Sequence, residues 1–108
     1  MKIIELDASR WSTAHDFHDA LLAGLGAPDW HGVSVDAFID SIIYGNINSI
    51  EPPYKIAVTG LDKATNAAFD TLAVTFAYLA KAGADAYFQG NHAWLEVRHI
   101  REPDLCIF

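Results

Sequence analysis

Short strand-like runs alternate with helical stretches along this chain, and that alternation constrains its fold more than any other feature. Residues 1–7 carry Ile3, Ile4 and Leu6, Tyr54–Thr59 reads YKIAVT, and residues 84–89 form a third such run. Between the first two lie a pair of helical stretches. Ala14, Phe17, Leu21 and Leu25 recur at helical spacing, Thr13 and Asp16 resemble a capping box, and Gly26 lies near the end. Ser34 is placed to cap a second helix over 35–44 that buries Val35, Phe38, Ile42 and Ile43 and stops at Gly45. Glu51-Pro52-Pro53 breaks the chain before the second run. A third helix is predicted over 65–82, with Phe69, Leu72, Ala73, Phe76, Leu79 and Ala80 as its apolar stripe and Gly83 as its end. Strands separated by helices call for an α/β fold with a parallel sheet and right-handed crossovers. Gly90-Asn91 suits a type II′ hairpin, so a fourth, antiparallel strand is expected near 92–99. The edge it would create offers a place for self-association, which nothing demands. Leu105, Cys106, Ile107 and Phe108 are apolar enough to be expected to pack back on the domain.

The 108 residues suffice for one domain, 1–108, with its own core, and 52% hydrophobic against 19% charged content argues against disorder. A single cysteine, Cys106, excludes an internal disulfide framework and fits a reducing compartment. No apolar stretch is long enough to span a membrane. Lys2, Glu5, Asp7 and Arg10 are unlike a secretory signal, so a cytoplasmic protein is expected. Net charge is −7, which repels nucleic acid. The same charge attracts a basic protein, or simply maintains solubility; composition leaves both open.

The most informative stretch is Pro28-Asp29-Trp30-His31-Gly32-Val33-Ser34-Val35-Asp36-Ala37-Phe38-Ile39-Asp40. Asp36 and Asp40 are four apart and share one helix face, where like charges repel. The helix dipole favours Asp36 in the first turn and helps Asp40 less. A solvated acidic face and a surface awaiting a partner's cations both fit this spacing. Trp30, in a turn between Pro28 and Gly32, reads equally as a partner anchor or as a lid on the core. Ile39 is expected to project partly out of the buried stripe.

Here the chain resembles the barstar family of ribonuclease inhibitors. The matching residues are His18, Pro28, Trp30, Gly32, Asp36-Ala37 and Asp40. The strand at 54–59, the helix ending Lys81-Ala82-Gly83 and the Asp85-containing strand follow in the family's order. The resemblance covers residues 1–89, leaving 90–108 as an extra hairpin strand and tail. It implies a three-stranded parallel sheet packed by helices, no catalysis, and an acidic loop and helix that enter a microbial ribonuclease's active site to protect the producing cell. Asp40 would occupy the phosphate pocket, Asp36 the acidic position one turn earlier, and Trp30 the place of a tyrosine that meets the catalytic histidine. Gly32, Ser34 and Ile39 complete the expected contact set. Three residues depart from the pattern. Ile39 stands where the family usually has tryptophan, His31 replaces a second loop aromatic, and Tyr78 falls near a peripheral acid. The Ile39 departure and the extra C-terminal strand raise the alternative of a module retargeted to another basic toxin or a regulatory partner. A 1:1 complex is expected in either case.

Other constellations are weaker. His15 and His18 are three apart, but no third ligand spacing closes a metal site. Cys106 near His99 and Asp104 lacks a nucleophile motif. Gly24, Gly26 and Gly32 form no phosphate-cradling loop. No metal or cofactor is therefore expected, and a small metal protein or enzyme remains only as a third alternative.

Overall fold

The computed structural model describes residues 1–100, so the expectation that Leu105–Phe108 pack back, and Cys106 itself, lie outside the described residues. The elements are β1 (Lys2–Asp7), α1 (Ala14–Leu25), α2 (Val35–Phe38), β2 (Tyr54–Thr59), α3 (Asn66–Ala82), β3 (Asp85–Gln89) and β4 (His92–Val97). α2 runs directly into a π-helical segment, Ile39–Tyr44, and a 3-10 turn, Leu61–Lys63, precedes α3.

Local chemistry explains the helix ends. The Thr13 side chain accepts from the Asp16 N–H at 3.3 Å, and the Asp16 carboxylate accepts from the backbone N–H groups of Ser12 and Thr13 at 2.8 and 3.1 Å. Those donors hold the Asp16 carboxyl below the usual carboxylate range. Thr65 Oγ1 caps α3 by accepting from the Ala68 N–H. Gly26 takes the left-handed conformation at the end of α1, φ 62°, where a side chain would also collide with Ser49.

The sheet order is β1-β2-β4-β3, with β1 and β2 parallel and β4 antiparallel to both its neighbours. β1, β2 and β3 therefore point the same way, as the alternating pattern predicts. However, β4 lies between β2 and β3, so β1–β2 is the one parallel ladder in the described sheet. The fourth strand is a central strand and not a new edge, which removes the self-association edge expected there. The reason is visible in the side chains. Gly90, φ 59°, and Asn91 turn the chain tightly back along β3. Ala93, Leu95 and Val97 are all buried, whereas β3 is largely exposed and forms the edge.

One face of the sheet carries the helices. Ile4 and Leu6, Tyr54, Ile56 and Val58, and Ala93, Leu95 and Val97 point into a core shared with Phe17, Leu21, Phe38, Leu72, Phe76 and Leu79. On the other face Tyr87 stacks on Trp94 at 5.1 Å, and the Lys55 ammonium lies 5.5 Å from the Trp94 ring. Phe69, expected in the apolar stripe of α3, is exposed and packs against the edge residue Phe88, 6.3 Å between rings. Ala68 and Thr75 are buried on α3 instead.

Candidate protein-binding surface

The loop at residues 27–33 carries two neighbouring rings that point opposite ways. The His31 N–H donates to the Pro28 carbonyl at 3.0 Å, closing a turn. Trp30 is 74% exposed, while His31 is only 9% exposed. Trp30 is therefore no lid on the core.

His31 fastens this loop to the helix that follows. Its Nδ1 faces the Gly32 carbonyl, which can only accept, so Nδ1 carries the proton. In the neutral ring, Nε2 is left to accept from the Ser41 hydroxyl, 2.7 Å away. The ring also lies 5.2 Å from Phe38, which stacks on His18 at 5.9 Å. Sequence reasoning noted His31 only as a departure and did not single out Ser41. A polar pair ten residues apart, one member in an irregular loop, leaves no periodic signal. Ser41→Ala strands a buried ring nitrogen and is expected to cost about 1–3 kcal/mol of stability. Urea unfolding measures this, and a change below a few tenths would show that the bond carries little.

Beyond the loop, Ser34 Oγ caps α2 by accepting from the Ala37 N–H at 3.1 Å. The helical winding continues to Tyr44 but loosens. The Gly45 N–H reaches back five residues to the Asp40 carbonyl, 3.1 Å. Such π-wound turns are uncommon and recur at functional sites. Asp36 and Asp40 are both exposed, and neither forms an ion pair among the described residues.

Trp30, Gly32 and Asp40 come together around a notch of about 90 Å³, completed by His31, Ala37 and Ile47. Ile47, from the loop after the π-helical segment, had no sequence signal. Ser34 and Asp36 lie on the same exposed stretch outside the notch, and Ile39 is half-buried against the core. Gly32 does not need to be glycine for the fold. Its φ is not positive, and an added Cβ would meet Ala37 at an ordinary 3.5 Å.

His18 is half-buried between Phe17 and Phe38. Burial lowers its pKa from 6.5, His15 pushes the same way and Asp19 opposes them. The folded chain thus takes up a proton here less readily than the unfolded chain. Stability should fall as pH drops from about 6.5 through the lower folded-state value. His18→Gln is expected to flatten that part of a urea-midpoint profile; an unaltered slope would place the loss elsewhere. His15 pairs with Asp19 at 3.4 Å. Among the described residues, no three His, Cys, Asp or Glu side chains gather as a metal site.

A larger cleft of about 420 Å³ lies between Ile43, Gly83 and the β3–β4 pair. Its carboxylates, Asp85 and Glu96, already face Arg98 at 3.8 and 3.7 Å.

The Barstar (barnase inhibitor) family model matches residues 1–98, and the chain belongs to that family. Members of the family are inhibitors of ribonucleases, not enzymes. The match extends through β4. No curated protein and no solved structure matches the chain. Among the described residues, no helix is long and apolar enough to cross a membrane.

Proposed function

We propose that this chain is a cytoplasmic inhibitor that blocks a basic microbial ribonuclease, one to one, by presenting Asp40 to the enzyme's phosphate-binding active site. The observation that carries this reading is the Trp30–Gly32–Asp40 notch. It holds a carboxylate with no cation of its own among the described residues, an exposed indole, and a glycine whose missing side chain leaves the notch open. A site built for RNA phosphate offers arginine, lysine and protonated histidine, which pair with carboxylates by charge-assisted hydrogen bonds. Asp36 adds charge one turn earlier, and the net −7 attracts a basic partner. Trp30, Gly32, Ser34, Asp36, Ile39 and Asp40 form the proposed contact set. Neither cofactor nor metal enters the mechanism.

The test is titration of barnase with the purified chain. Stoichiometric loss of RNA cleavage is expected, with affinity falling as salt rises. Full activity at excess chain would overturn the reading. A second reading, a barstar-like module retargeted to another basic toxin or a regulatory protein, is favoured by half-buried Ile39 and exposed Tyr78. Both remove contacts that the resemblance would otherwise imply.

A further inference from the structure

A second depression lies beside the notch. It is a groove of about 280 Å³ between α1, the loop and α3, walled by Val33, Val35 and Val74, with His18 and Asp70 among its lining. Val33 and Val74 are 47% and 51% exposed. Asp70 is exposed and has no ion pair among the described residues. Among the described residues, no lysine or arginine lines either depression.

We propose that this groove takes one arginine or lysine side chain of the protein partner, its aliphatic stem on the valines and its cationic head on Asp70. The inference rests on the inhibitor reading above and names a contact that reading does not include.

Three arguments select this occupant. The first is chemical. Exposed valine walls beside an unpaired carboxylate match a side chain that is apolar along its length and charged at its tip. A wholly apolar guest would desolvate Asp70 without pairing it. An acidic guest would be repelled. The second is continuity. Gly32 lines the notch, while the next residue, Val33, lines the groove. A single residue step separates the two depressions, so one partner surface can fill both. The third is the state of His18. Burial favours its neutral form, so it does not oppose an incoming cation near neutral pH.

The test compares barnase inhibition constants for the wild type, Asp40→Ala, Asp70→Asn, Asp70→Glu and Val74→Lys across a salt series. Asp70→Asn is expected to weaken inhibition about three- to tenfold, Val74→Lys at least about tenfold, and Asp70→Glu to restore most of the affinity. Both Asp70→Asn and Val74→Lys should also flatten the dependence of affinity on salt, which a purely structural role would not do. Both positions are exposed, so urea midpoints should stay close to wild type. If Asp40→Ala weakens inhibition while Asp70→Asn and Val74→Lys match the wild type, the groove proposal is overturned and the inhibitor reading stands. If Asp40→Ala also matches the wild type, the groove proposal and the role assigned to Asp40 are both overturned; if the wild type does not inhibit, the inhibitor reading falls with them.

Discussion

Asp40→Ala is expected to weaken inhibition of a barnase-type ribonuclease by roughly thirty-fold to a few thousand-fold while slightly stabilising the free chain. The binding loss follows from desolvation. Once the complex closes, the enzyme's phosphate-site cations are cut off from water. Removing their carboxylate leaves them buried and unpaired, at about 2–5 kcal/mol, or tenfold in affinity for each 1.4 kcal/mol. In the free chain Asp40 is exposed, holds no ion pair among the described residues, and follows Asp36 by four residues along the same winding. Relief of their like-charge repulsion is worth about 0.2–0.5 kcal/mol. Opposite signs in the two assays are the signature of a carboxylate kept for a partner. They are read from inhibition constants at fixed salt and from urea unfolding of the free protein. Equal inhibition by both proteins would overturn the role assigned to Asp40.

Phe38→Ala is expected to cost about 3–5 kcal/mol of folding stability. Phe38 is buried at the end of α2, with His31 and His18 against its ring and the two aspartates on the exposed side of the same winding. Deleting the ring opens a cavity beneath the acidic surface and removes the wall against which His31 rests. Typical domains are stable by only about 5–15 kcal/mol, so the loss is a large share of the whole. Equilibrium unfolding in urea measures it. A cost under about 1 kcal/mol would mean that the surrounding side chains collapse into the space, and that the loop does not depend on this ring.

Much of the fold was legible because its signals are local. Thr13 with Asp16, Ser34 and Gly45 mark helix ends through bonds that span only a few residues, and Gly90-Asn91 marks a hairpin by backbone chemistry alone. Strand order is different. The alternation of Ala93, Leu95 and Val97 identifies a half-buried strand, yet the same pattern suits an edge or a central position. Only the fit against β2 and β3 chooses between them. Phe69 failed for the same reason, since helical period says which way it points and not how far the sheet extends beneath it.

The surface was legible in part. Asp36 and Asp40 share a face by spacing alone. Whether Trp30 covers the core or meets solvent depends on His31, and His31 turns inward because Ser41 and Phe38 receive it. Ile47 enters the notch from a segment with no periodicity at all. Similarity to the barstar family supplied the link between these residues that spacing could not.

The central position of β4 bears on how the protein is made. β3 has no ladder with β2; among the described strands it is joined to the sheet through β4 alone. While a ribosome is still adding residues 92–97, the β1–β2 ladder can form, but β3 has no strand to pair with. The sheet cannot be completed until β4 has been made, because β3 reaches β2 only through it. A translation product that stops short of that point carries the whole acidic loop and helix, yet lacks the strand that holds the two sides of the sheet together.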